Sequence, residues 1–248
     1  MLRVVSDRFD PPALDTAVSS AILQRVATGE EPETLRLWSP QRSVAFGRQD
    51  RVRPGYRDAV AAVAALGFTP VERLAGGRAA VFHEGTLAFS WAIPEPRVRE
   101  TIAERFAMIS GLVARSFAAL GLDARIGEVP GEYCPGEWSV NLGGARKVMG
   151  VGQRLIRGAA HLGGVIVVTD ADLVNRPLLP AYLALGYPWV PEATGALDET
   201  MPGLSTERVA ANLLATLAEA GHEITGGAID DGCLHLAEEL EPDHDPTR

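Results

Sequence analysis

Lysine is nearly absent from this chain. Of 23 cationic residues in 248, one is lysine, Lys147, and 22 are arginine. An amine can shed its proton and act as acid or base, whereas a guanidinium stays charged. The position that keeps lysine in an arginine-biased chain is therefore a candidate for chemistry. Cysteine is equally scarce. Cys134 and Cys233, 99 positions apart, make no disulfide framework. Positive charge is in deficit, with a formal net charge of −9, which argues against a general nucleic-acid binder or a membrane-surface protein. Long apolar runs are missing: stretches such as Gly163–Val168 are too short to span a bilayer. Met1–Asp10 (MLRVVSDRFD) has no basic segment leading into an apolar one, so no secretory signal is expected. A cytoplasmic location follows, where a free thiol persists as a thiol. There is no internal repeat and no low-complexity block. Asp230, Asp231, Cys233, His235, Asp243 and His244 fit no closed zinc spacing, so no metal is expected.

What is present is an ordinary globular composition, 46% hydrophobic and 22% charged, long enough for one large domain with a buried core or a domain plus a small appendage. Residues 13–28 read as a helix ended by Gly29, Tyr56–Leu66 as one ended by Gly67, and Arg97–Leu120 as a long amphipathic one stopped by Gly121. Thr34–Trp38 and Ser43–Phe46 alternate as strands about a Ser39-Pro40-Gln41 turn, with Trp38 assigned to core packing. Phe68–Arg73 is a further strand. Ala79–His83 and Thr86–Ile93 form a second alternating pair turned by Glu84-Gly85. Trp138–Leu142, Arg146–Met149 and Gln153–Ile156 read as short strands, and Gly163–Thr169 as a buried one. Asp170–Ala184 is helical, split by Pro177 and Pro180. Gly186–Gly203 is a covering loop, and Ser205 or Thr206 caps a last helix through Ala220. Strand pairs mixed with helices, without βαβ alternation, give α+β with a mainly antiparallel sheet. The domain is placed at 1–222, with 223–248 an extension whose acidic end, Glu238–Arg248, frays.

The chemistry concentrates in Gly131–Arg157. Cys134 and Lys147 lie there 13 positions apart, among glycines. In Tyr133-Cys134-Pro135-Gly136 the proline denies helix and the glycine permits a turn, presenting the thiol at a surface or cleft. A nearby cation activates a thiol, and a hairpin of 138–142 with 146–149 would bring Lys147 back to it. The alternative is an inert buried cysteine, as free cysteines commonly are. Gly76-Gly77 and Gly143-Gly144 let backbone approach a ligand, or simply turn hairpins; they match no phosphate loop or dinucleotide fingerprint. His83 is a possible base, though a lone histidine at a strand end is more often structural, and His161 reads the same way. Arg73, Arg78, Arg146, Lys147, Arg154 and Arg157 fall near the two glycine-rich stretches. They could receive an acidic protein or an anionic small molecule, or lie scattered over a solvated surface.

Arg73-Leu-Ala-Gly76-Gly77-Arg78-Ala-Ala-Val81, with Gly143-Gly144-Ala-Arg146-Lys147-Val-Met-Gly150-Val-Gly-Gln153-Arg154, resembles the superfamily of lipoate–protein ligases, octanoyltransferases and biotin–protein ligases over two-thirds to three-quarters of the chain. Tyr133-Cys134-Pro135-Gly136 is similar to its cysteine-dependent amidotransferase branch. The resemblance implies a biotinyl/lipoyl protein ligase-like catalytic domain. It also implies transfer of an octanoyl or lipoyl group through a Cys134 thioester, with Lys147 beside the acyl carbonyl. Arg73, Gly76, Gly77, Arg78, His83, Gly150 and Gln153 would then bind substrate. Implied partners are lipoyl domains of 2-oxo-acid dehydrogenases, the glycine-cleavage H protein or acyl carrier protein. No cofactor is implied for a transferase. Two departures stand out. Arg78 follows the glycine pair where a small residue is usual, and would narrow the pocket or reach an anion. Ser139 stands where relatives tend to carry an aspartate that helps hold metal-nucleotide, which weakens the alternative of an ATP- and Mg²⁺-dependent lipoate ligase. A non-catalytic acyl- or carrier-binding module on the same scaffold is the third reading.

Overall fold

The structure is a computed structural model that describes residues 1–247. The strands are β1 (Leu2–Val5), β2 (Thr34–Trp38), β3 (Ser43–Phe46), β4 (Thr69–Glu72), β5 (Ala80–Phe82), β6 (Thr86–Pro94), β7 (Ala124–Ile126), β8 (Val140–Leu142), β9 (Arg146–Ile156), β10 (Ala159–Val167) and β11 (Ile224–Gly226). The helices are α1 (Pro12–Thr28), α2 (Arg48–Arg51), α3 (Tyr56–Ala65), α4 (Ile102–Ala119), α5 (Ala171–Leu185), α6 (Thr206–Glu219) and α7 (Asp231–Leu240). Eight strands form one sheet in the order β11-β1-β2-β6-β10-β9-β8-β7, and three form a second, β4-β3-β5. Among the described strand pairs, β1 with β11, β1 with β2, and β3 with β4 run parallel and the others antiparallel. The α+β class with a mainly antiparallel mixed sheet is what the sequence pattern predicts. No helix among the described residues is long and apolar enough to cross a membrane.

The amphipathic helices bury one face where their apolar spacing dictates, while α1 is buried on most sides. From α4, Ile109, Leu112, Val113 and Phe117 pack on the large sheet with Leu213 and Leu217 of α6. Helices α3 and α5 close over the small sheet around Val44, Phe46, Val63 and Tyr182. β10 is buried along its whole length, between β6 and β9. The Tyr133-Cys134 turn lies between the two sheets, with Tyr133 in the small-sheet core.

Several expectations need correction. Neither alternating strand pair is a hairpin: β3 and β5 pair with each other in the small sheet, while β2 and β6 pair in the large one. The turns at Ser39–Gln41 and Glu84–Gly85 thus carry the chain between sheets, a distinction that period-2 alternation does not encode. Residues 146–149 and 153–156 are not separate strands, because β9 runs unbroken with Gly150 and Gly152 inside the ladder to β10. Pro177 and Pro180 lie inside a continuous α5. The chain from 97 to 101 is turn, so α4 begins only at Ile102.

The tail is not frayed over Glu238–Thr247. Asp230 caps α7 through its carboxylate on the Cys233 amide at 2.7 Å, and α7 packs Cys233 and Ala237 against α1. Residues 224–226 extend the large sheet beside β1. Arg248 lies outside the described residues.

A buried ion pair fixes α1 to β2. The Arg36 guanidinium is fully buried and bonded to the Asp15 carboxylate, to the Asp15 carbonyl at 2.8 Å and to the Asp7 carbonyl at 2.7 Å. It lies 3.9 Å over the Trp38 ring, whose Nε1 donates to Asp15 Oδ2 at 2.7 Å. Trp38 is therefore half-buried and polar-bonded as well as packed. Neutralising one partner strands the other charge out of water, so Asp15→Asn is expected to lower unfolding free energy by about 3–5 kcal/mol. Urea denaturation measures this, and a loss below about 1 kcal/mol would deny the pair that role.

Candidate functional site

The site forms where β9 leaves β10. The β9–β10 pairing begins at Met149, so Arg146–Val148 project past the end of β10. On one side they pair with β8, with Asn141 opposite Lys147 and a bulge between Val140 and Asn141. On the other side the 186–203 loop takes the place of β10. Thr194 bridges Lys147, and the Gly195 amide donates to the Lys147 carbonyl at 2.9 Å. The covering loop is thus the support behind the lysine. The hairpin expected from the sequence exists, and it returns Lys147 to the cysteine turn.

Lys147 is 1% exposed, and its ammonium donates to three acceptors: Glu132 Oε1 at 2.9 Å, the Tyr133 carbonyl at 2.9 Å and the Cys134 carbonyl at 2.8 Å. It meets the cysteine through main chain. Glu132 is buried too, and its carboxylate also accepts from the Val129 amide at 2.8 Å, the Gly136 amide at 3.1 Å and Ser139 Oγ at 2.6 Å. Cys134 itself is half-buried with φ +43°, a left-handed conformation rare for a side chain other than glycine. Tyr182 Oη accepts the Cys134 amide at 2.8 Å and donates to the Ala79 carbonyl at 3.1 Å, bracing the turn to the start of β5. Burial, together with the neighbouring Cys134, raises the Tyr182 phenol well above its ordinary range, so it stays a neutral donor.

The thiol points at the first glycine pair. The Arg78 amide donates to Cys134 Sγ at 3.1 Å. Gly77 makes this approach possible: its φ is +113°, and a Cβ there would stand 2.9 Å from Sγ. The Gly76 amide donates to the Gln153 carbonyl at 3.1 Å, tying the same turn to β9.

Cys134 and Lys147 line a cleft of about 440 Å³ with Arg73, Gly76, Gly77, Gly150 and Gln153. Its apolar wall includes Phe82, Ile102, Phe106 and Trp138, the last two stacked at 6.3 Å. Arg73, Phe82 and Gly164 also border a smaller apolar cavity of about 80 Å³ lined by Trp38, Val71, Leu74 and Phe89. His161 lies on that cavity, hydrogen-bonded to Ser90 Oγ at 2.9 Å. Burial pushes it down to about 3, so it is neutral.

Two expected site residues fall elsewhere. His83 is buried in the turn between β5 and β6, its Nδ1 accepting the Gly85 amide at 3.0 Å, and it does not reach the cleft. The Arg78 side chain neither narrows the pocket nor faces into it: its guanidinium lies 4.4 Å over the Tyr187 ring, and only its amide serves the site. Gln153 holds Arg105 at 2.9 Å and the Ile102 carbonyl at 2.8 Å through its side chain, fixing α4 over the cleft. Glu132 and Tyr182 are absent from the sequence-based candidates. In a chain with a single lysine, a carboxylate partner could be sought, but spacing does not choose Glu132 over Glu128 or Glu137.

The lipoyl protein ligase A/B catalytic domain model matches residues 11–217. An octanoyl-[GcvH]:protein N-octanoyltransferase of Geobacillus kaustophilus is 27% identical over 245 residues, covering 93% of this chain and 86% of that protein. A lipoyl-[GcvH]:protein N-lipoyltransferase of Listeria monocytogenes is 27% identical over 179 residues, covering 70% and 63%. Among solved structures, a lipoate-protein ligase A bound with ATP superposes with a TM-score of 0.79 at 23% identity, over 97% of this chain and 94% of that one, a likeness of fold. The match across residues 11–217 spans the small sheet, six of the eight strands of the large sheet and the whole cleft, and the chain belongs to the lipoyl protein ligase A/B catalytic domain family.

Proposed function

We propose that this protein is a cysteine-dependent N-acyltransferase that moves an octanoyl or lipoyl group from one carrier-protein lysine to another through a thioester on Cys134. The relatives named octanoyl- and lipoyl-[GcvH]:protein transferases support that activity and a glycine-cleavage H protein as donor. A lipoyl domain of a 2-oxo-acid dehydrogenase is the acceptor in this reading. The observation that carries the mechanism is the thiol itself. It sits at a cleft with an apolar wall, on a left-handed turn, with a backbone amide aimed at its sulfur.

In the first half-reaction Cys134 Sγ attacks the acyl carbonyl carbon. The Sγ–C bond forms, the C–N bond to the donor lysine breaks, and the proton lost by the thiol ends on the departing amine. In the second, the acceptor amine attacks the thioester, the C–N bond forms, the C–S bond breaks, and the acceptor's proton returns to the thiol. The acyl chain lies along Phe82 and Phe106, with its far end in the small cavity beyond Arg73. Each methylene buried there contributes about 0.8 kcal/mol. With its three protons donated to the protein, Lys147 serves this chemistry by fixing the carbonyls of the peptides that enter and leave Cys134. Arg73 lines the cleft, and Arg48 and Arg154 lie within electrostatic reach of each other, a positive local charge that suits an acidic carrier surface.

No ATP or Mg²⁺ takes part in this reading. Incubated with octanoylated H protein, the wild type is expected to show a thioester adduct on Cys134 by intact mass. Cys134→Ala should show neither adduct nor transfer; full transfer by that variant rejects the relay. Free octanoate or lipoate with ATP and Mg²⁺ should yield no acyl-adenylate, and its formation would favour the ligase reading instead. Lys147→Arg replaces a three-way point donor by a planar fork that cannot meet the same three acceptors. Transfer should fall by about 100-fold with carrier binding kept, whereas a non-catalytic binding module would show no turnover to lose.

A further inference from the structure

Lys147 has three protons, and all three go to protein acceptors. What holds the ammonium there is Glu132. The Glu132 carboxylate gathers donors from both sides of the cysteine turn: Val129 before it, Gly136 and Ser139 after it, and Lys147 from β9. Both charges are almost wholly enclosed, at 1% exposure for the Lys147 side chain and 0% for Glu132. Neither can be supported by water, so each depends on the other. The two carbonyls bound by Lys147 belong to the peptides that enter and leave Cys134, whose φ of +43° an unsupported cysteine avoids.

We infer that Glu132 is a positioning residue for acyl transfer: it clamps the 129–139 turn and the Lys147 ammonium into one unit that holds the Cys134 thiol against the Arg78 amide. The inference rests on the acyl-relay reading for its kinetic consequence, and on geometry alone for the placement of the thiol. Glu132 touches neither the cleft surface nor the sulfur, and acts through Lys147 and the turn.

The test uses Glu132→Gln, which keeps length and shape while removing the charge, and Ser139→Ala, which removes one bond to Glu132 and keeps both charges. Transfer from octanoylated H protein is normalised to the thioester formed per chain, so that misfolded molecules are not counted. For Glu132→Gln, kcat per competent site should fall by at least about tenfold with KM within about twofold, the split that misplacement of a reacting group produces. Ser139→Ala should show a smaller fall with the same split. Wild-type kcat in both variants overturns the inference, as does a loss accounted for wholly by fewer competent chains. Alkylation of Cys134 by iodoacetamide needs no acyl donor. A changed rate constant in Glu132→Gln supports placement of the thiol even if the wild type forms no thioester, an outcome that would sink the relay alone. An unchanged rate constant overturns the placement.

Discussion

The site depends on one buried ammonium with nowhere else to put its protons. Lys147 is the single lysine of the chain, and it is among the largest fully buried side chains in the molecule. A charge removed from water demands complete compensation. Here the compensation is a carboxylate and two consecutive main-chain carbonyls. The demand works in reverse on the chain that supplies them: the Tyr133–Cys134 segment must keep its carbonyls turned towards β9. The left-handed cysteine is a consequence of that arrangement together with Tyr182 on its amide. An arginine-rich composition cannot substitute here, because a guanidinium is planar and too long for a three-way point contact.

The rest of the fold serves to hold that ammonium against the cysteine from two directions. The large sheet provides β9, whose end runs past its neighbour β10 so that the lysine can point into the gap between sheets. The small sheet provides the Gly76-Gly77-Arg78 turn, and α5 provides Tyr182 across from it. Beside the Lys147 side chain, three contacts here use backbone donors: Gly76 amide to Gln153 carbonyl, Arg78 amide to sulfur, Gly195 amide to Lys147 carbonyl. Backbone donors fixed in ordered turns need no side-chain reorganisation, the physical basis of a preorganised site, and in the acyl-relay reading they meet the charge that develops on the sulfur.

Much of this was legible in the residues. The lone lysine, the turn-forming Cys-Pro-Gly and the two glycine pairs mark the elements that meet, and the 140–149 hairpin follows from alternation about Gly143-Gly144. The partners of the buried charge were not legible. Glu132 looks like any of several glutamates near the turn, and its role depends on four donors converging from residues 129 to 147. Tyr182 is hidden by distance, since it sits 48 positions from Cys134 on a helix that its prolines suggested was broken. His83 and the Arg78 side chain were over-read for a common reason. Proximity in sequence to a glycine turn says nothing about which way a side chain leaves it, and both point away from the cleft, into the β5–β6 turn and onto Tyr187.

Ser139 ties the buried pair to the choice of chemistry. Its hydroxyl donates to Glu132 Oε1 at 2.6 Å, on the same oxygen that receives Lys147. An aspartate in its place would set a second carboxylate against the first at a buried position on the cleft lining. One of the two would have to take up a proton, or both would need a further cation. A site that binds a metal-nucleotide can supply that cation from its ligand. In the thiol-dependent reading proposed above there is no such supply, and a neutral donor is the stable neighbour for Glu132. Serine at 139 and glutamate at 132 are thus two halves of one electrostatic solution, in which the negative charge is directed inward to the lysine.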